Sequence, residues 1–118
     1  MNTALWIVQG ILALMFLMAG IMKSTQSKEK LLPKTPWVKD FSLNTVRLVG
    51  MAELLAALGL VLPMLLDIFP VLTSLSAIGL SLIMIFAMVY HFTKKEMKEI
   101  GFNLVILIMA LFVTYGRI

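Results

Sequence analysis

Five side chains in this sequence can hold a proton, an ion or a polar ligand while lying within or at the edge of long apolar runs: Lys23, Arg47, Glu53, His91 and Asn103. Glu53 is the most informative, because an acid at hydrocarbon depth is costly unless it is neutral, paired or wetted. It needs a partner or a proton, and Lys23, Arg47 and His91 are the cations at hand. Its functional role would be a proton-handling or ligand-anchoring carboxylate. The structural alternative is a buried acid satisfied by Arg47 or Asn103 that ties the helices together. His91 is the single histidine and the chain has no cysteine, which removes disulfides, thiolate metal sites and thiol redox chemistry. One histidine and one buried acid are too few ligands for a protein-held metal, so none is expected. His91 reads as an interfacial, hydrogen-bonded residue and Asn103 as an interhelical hydrogen-bonding group. Gln9 and Arg117 are a second, smaller set of polar candidates, near the other ends of their apolar runs.

The elements that must position these groups follow from composition. Of 118 residues 61% are hydrophobic and 14% charged, with a mean hydropathy of +1.02, which excludes an ordinary water-soluble globule. Four bilayer-crossing helices of about 20 residues each account for nearly all of the apolar content. The sequence predicts an all-α, up-and-down transmembrane bundle in one domain, residues 1–118, with spans at about 4–22, 46–66, 70–92 and 100–116. The first apolar run is read as a span rather than a cleaved signal, since no basic residue precedes it and Lys23 follows it. Residues 23–45 are the one long polar stretch; Pro33 and Pro36 oppose a continuous helix there. Leu31, Leu32, Trp37, Val38 and Phe41 lie among its lysines, so it is expected along the headgroup layer with Trp37 as an interfacial anchor. Pro70 suits the first position of the third span.

The connections near 67–69 and 93–99 are short enough to force antiparallel neighbours. Lys23, Lys28, Lys30, Lys34, Lys39, Arg47, Lys94, Lys95 and Lys98 fall on one side and Arg117 on the other. The positive-inside rule then puts both termini outside and the lysine-bearing connections in the cytoplasm. The net charge of +4 is explained by these loops, and no nucleic-acid partner is expected. Alternating steps of four and three select one stripe per span that is rich in small and polar residues. These are Gln9, Ala13, Phe16, Gly20 and Lys23 on the first; Gly50, Glu53, Ala57 and Leu60 on the second. Ser74, Ala77, Ser81, Met84, Met88 and His91 follow on the third, and Asn103, Ile106, Ala110, Val113 and Arg117 on the fourth. Stripes of this kind are expected inside, with the remaining faces against lipid. Glu53 lies roughly 9 Å deeper than Arg47, and Asn103 about 5 Å inside the start of its span, at 1.5 Å per residue. Lys23, Arg47, Glu53, His91 and Asn103, drawn from all four spans, are therefore predicted to share one vestibule.

The same residues carry a likeness. Phe16 to Lys23 reads F-x-x-A-G-x-x-K, and Arg47 to Pro63 reads R-x-x-G-x-x-E-x-x-x-A-x-G-L-x-x-P. Leu72-Thr73, Ala77, Gly79-Leu80, Met84, Ala87 and His91 follow, then Asn103 and Tyr115-Gly116-Arg117. In this order and spacing the chain resembles the DoxX-like family of small four-helix membrane proteins over nearly its whole length. The resemblance implies the bundle fold and a bacterial cytoplasmic membrane. It implies less about activity than about fold: namesake relatives are associated with thiosulfate:quinone oxidoreductase assemblies, others with membrane-bound oxidative-stress complexes, animal relatives act as assembly chaperones for receptors, and most bacterial members have no assigned reaction. The small size, with every span needed for the bundle, and the lack of a visible catalytic constellation favour an accessory or assembly subunit with no catalytic centre of its own, in a homo-oligomer or with other membrane subunits. The alternatives are a quinone-associated redox protein, with Glu53 or His91 on a ring oxygen, and a proton or small-solute transporter using the vestibule.

Overall fold

A computed structural model of the chain describes residues 2–33 and 35–117. Lys34, one of the basic residues counted above, lies outside them, as do Met1 and Ile118. Four long helices make the molecule: α1 (Asn2–Thr25), α3 (Leu43–Leu66), α4 (Val71–Thr93) and α5 (Met97–Arg117), with a one-turn helix α2 (Lys28–Leu31) and a 3-10 turn (Pro36–Asp40) between the first two. Each long helix is long and apolar enough to cross a membrane. They run past the predicted spans at several ends, since helical hydrogen bonding does not stop where hydrophobicity does.

Local chemistry sets the ends. Ser42 caps α3 by accepting a hydrogen bond from the Thr45 N–H at 3.2 Å, the usual task of serine there. Pro63 inside α3 leaves the Gly59 carbonyl without its helical donor. Asp67 closes the helix in the left-handed conformation, at φ 54°, and the Ile68 N–H bonds back to the Pro63 carbonyl at 3.0 Å. Pro70 stands one position before α4 rather than at its first residue, a shift of the size that helix ends commonly show. The turn after α4 is a Schellman closure: Lys95 takes φ 58°, the Glu96 N–H reaches the His91 carbonyl at 2.9 Å, and the Lys95 N–H reaches that of Phe92 at 3.1 Å.

Turns this short fold α4 back on α3 and α5 back on α4, and α1 closes the ring by packing on both α3 and α5. Both ends of the described chain meet at one end of the bundle, where the Arg117 Nη1 donates to Asn2 Oδ1 at 2.8 Å. The long connection from α1 to α3 and the short α4–α5 turn occupy the opposite, basic end. No residue of the four predicted inner stripes is exposed, and Leu12, Phe16, Leu60, Leu80, Ile106 and Ala110 form the middle of the core. Outward-facing residues such as Ile7, Leu14, Leu48, Leu55, Leu82, Val105 and Ile108 are exposed, the apolar coat a bilayer solvates. The 23–45 stretch packs a small core of its own, in which Leu31 and Val38 are fully buried on Val46, with Trp37 and Phe41 at its edge.

Candidate functional site

The site begins with two glycines. A Cβ on Gly20 would stand 2.8 Å from both the Gly50 carbonyl oxygen and the Leu54 nitrogen, and one on Gly50 would stand 2.9 Å from the Lys23 carbonyl carbon. Only glycine permits so close a crossing of α1 and α3. One turn beyond these glycines, Lys23 and Glu53 face each other, and the Lys23 Nζ donates to Glu53 Oε1 at 2.7 Å. Their side chains are 11% and 3% exposed. The partner of Glu53 is thus Lys23, rather than Arg47 or Asn103. Lys23 also stands 5.2 Å from the centre of the Trp37 ring, within cation–π range. Arg47 is spent elsewhere: its Nη1 donates to the carbonyls of Lys23 and Gln26 at 2.9 and 2.7 Å. It thereby satisfies the acceptor end of α1, where a cation is favoured.

A cavity of about 300 Å³ opens beside the ion pair. Lys23, Glu53, His91 and Asn103 all contribute to its wall, one from each long helix, whereas Arg47 does not. Trp37 and Phe41 come in from the strap between α1 and α3, and Phe86 and Tyr90 from α4. Asn103 is buried, and its Nδ2 has no hydrogen-bond partner among the described residues. His91 is held from behind by the next connection, with Nδ1 2.8 Å from Glu96 Oε1; a carboxylate at that nitrogen favours the tautomer with its proton on Nδ1. Trp37, Phe41, Tyr90 and His91 form a chain of ring contacts at 5.6, 5.4 and 5.2 Å between centroids.

Asp40 pins the strap across the mouth, accepting a hydrogen bond from the Tyr90 hydroxyl and lying 3.6 Å from the Lys94 Nζ. The Tyr90 hydrogen bond, helped by the nearby lysine charge, holds the Asp40 carboxyl below the usual carboxylate range. Among the described residues no group of three or more His, Cys, Asp or Glu side chains is placed to hold a metal.

A glycine crossing, an inward lysine–glutamate pair and the helix order that joins them are spelled by the F-x-x-A-G-x-x-K and R-x-x-G-x-x-E segments. A family model, the DoxX-like family, matches residues 7–113. The chain belongs to the DoxX-like family. No curated protein and no solved structure matches it. The match covers every residue of the cavity and leaves out Arg117, which the two sequence segments above do not contain either.

The opposite end of this DoxX-like bundle holds Gln9 and Arg117 together. Gln9 is fully buried; its Nε2 donates to the Leu60 carbonyl at 2.6 Å, and its Oε1 accepts from the Arg117 Nε at 2.6 Å. Arg117 also stacks over the Trp6 ring at 5.4 Å. This cluster links α1, α3 and α5, and it is separated from the cavity by the apolar middle of the core.

Among the residues that sequence reasoning did not assign to the site are Trp37, Phe41, Phe86, Tyr90, Asp40 and Glu96. Tyr90 beside His91 at a helix end was a visible signal. The pairing of Asp40 with a helix 50 positions away was not.

Proposed function

We propose that this DoxX-like protein is a membrane module without a catalytic centre of its own, which holds one lipophilic ring molecule of the quinone class as a subunit of a larger assembly. The observation that carries this is the cavity: about 300 Å³, walled mainly by aromatic and aliphatic side chains, with an ion pair and an unpartnered amide at its polar side. Pockets for small molecules have this make-up. An apolar cavity of about 150 Å³ accepts benzene, so this one suits a substituted ring and the start of its tail. The remaining Lys23 N–H groups and the Asn103 amide suit ring carbonyls, and the second Glu53 oxygen suits a ring hydroxyl.

Two further points support the reading. Leu12, Phe16, Leu80, Ile106 and Ala110 fill the axis between the two polar ends, which favours holding over conduction. Four spans with basic connections at one end suit a bacterial cytoplasmic membrane with that end inside. The partner half rests on a shallow outer groove between α3 and α4, lined by Ala52, Ser76 and Gly79, small residues of the kind that let another membrane helix approach.

Quinone quenching of Trp37 fluorescence, in a Trp6→Phe background, tests the binding half. Saturable quenching is expected, weakened about fivefold to tenfold in Asn103→Leu, the worth of one hydrogen bond in a dry site. Non-saturable quenching, equal in both proteins, would overturn it. For the partner half, purification in a mild detergent should recover a complex larger than one chain, and a strictly monomeric particle would remove it.

A further inference from the structure

We infer that the Lys23–Glu53 pair sets the charge of the ligand, so that the cavity accepts an uncharged ring molecule bearing hydrogen-bonding groups and refuses an ionised one. This rests on the binding reading above and specifies its ligand.

Lys23 and Glu53 put one positive and one negative charge 2.7 Å apart on the wall, and at 11% and 3% side-chain exposure water screens them little. The other charges nearby are already answered. His91 is turned to Glu96 at 2.8 Å, and the Arg47 guanidinium sits on the carbonyls that form the negative end of α1. Asn103 is neutral. An anion entering the cavity would have to draw Lys23 from Glu53 and strand a carboxylate whose side chain is only 3% exposed. A cation would have to displace Lys23 against the repulsion of its like charge. Either breaks the pair, and separating buried partners is the costly outcome for an ion pair in a dry site. A neutral ring leaves the pair intact and uses its spare capacity: two further N–H donors on Lys23 and the second oxygen of Glu53.

The test uses two rings of similar size in the Trp6→Phe protein, read by Trp37 quenching: menadione, which is neutral, and lawsone, which is negatively charged at neutral pH. The quantity compared is the ratio of their affinities in each variant against wild type, in which partition into the detergent cancels. Glu53→Gln leaves an unanswered positive charge and should move the ratio toward lawsone by about tenfold or more, while Lys23→Gln should move it by about as much toward menadione. The double variant Lys23→Gln/Glu53→Gln restores neutrality and should keep the ratio within about threefold of wild type, the range expected when no charge is left over. Lys23→Gln is the variant at risk of misfolding, so Glu53→Gln and the double variant decide the matter alone. A ratio that stays put in Glu53→Gln, in protein that remains helical by circular dichroism, overturns the inference while leaving the binding reading standing. If neither ring gives saturable quenching in wild type, the binding reading falls and this inference with it.

Discussion

The sharpest consequence of the buried pair is an asymmetry between its two members. Two unit charges 2.7 Å apart attract by about 6 kcal/mol at an effective dielectric of ~20. Desolvation offsets much of that, so the net worth is small while the cost of removing one partner is large. The two partners differ in their escape routes. Glu53 is short, 3% exposed and a full turn inside α3 from the glycine crossing, so it stays buried when Lys23 is lost. Lys23 is 11% exposed in the last turn of α1 and carries a long apolar stem, so when Glu53 is lost its ammonium can draw water and headgroup contacts to it at the cavity mouth. Lys23→Gln should therefore destabilise by about 3–5 kcal/mol, and Glu53→Gln, which keeps a neutral acceptor for the lysine, by about 1–2 kcal/mol. The double variant should recover about 2–3 kcal/mol relative to the sum of the singles. Titration from a mild detergent into dodecyl sulfate at neutral pH, followed by far-ultraviolet circular dichroism, measures all three. Equal losses in the two singles, or additivity in the double variant, would refute the reasoning.

Gly20→Ala and Gly50→Ala should each cost about 1–3 kcal/mol in the same titration, as overpacking does, because their new methyl groups meet backbone atoms under 3 Å away. Gly79→Ala, with nothing within 4 Å of the added carbon, should be neutral or gain about 0.5–1 kcal/mol from helix propensity. Since the Tyr90 hydroxyl and Lys94 hold the Asp40 pKa down, the strap's attachment is intact above the ordinary carboxylate pKa of about 3.9 and is lost as pH falls through the lowered value. Acrylamide quenching of Trp37, again without Trp6, should show a step up below about pH 4. Asp40→Asn should show raised quenching at neutral pH and lack that component of the acid step.

Much of the bundle was legible because a bilayer makes polarity expensive. The stripes containing Glu53, Asn103, Ser81 and Gln9 had to face inward wherever the helices went, and all four residues are buried. The short links read at 67–69 and 93–99, which the structure places at 67–70 and 94–96, forced antiparallel neighbours without any knowledge of packing. The strap was less legible. Its lysines and prolines marked it as non-spanning, but the full burial of Leu31 and Val38 depends on the ends of α1 and α3 offering them a surface.

Periodicity along single helices therefore determined the helical class, the number of spans, their inner faces and the residues worth watching, since each of those follows from the 3.6-residue repeat and the cost of a polar group in lipid. Which of those residues meet was decided only by the tertiary structure. Arg47 and Lys23 are equivalent cations in a sequence. The glycine crossing at Gly20 and Gly50 brings the lysine onto Glu53 and sends the arginine to the exposed carbonyls at the end of α1. The return of the strap over the mouth, carrying Trp37 and Phe41 to Tyr90, turns a row of polar residues into a walled cavity. Partner choice at 3 Å depends on where helices cross, and that is a property of packing between segments rather than of any one of them.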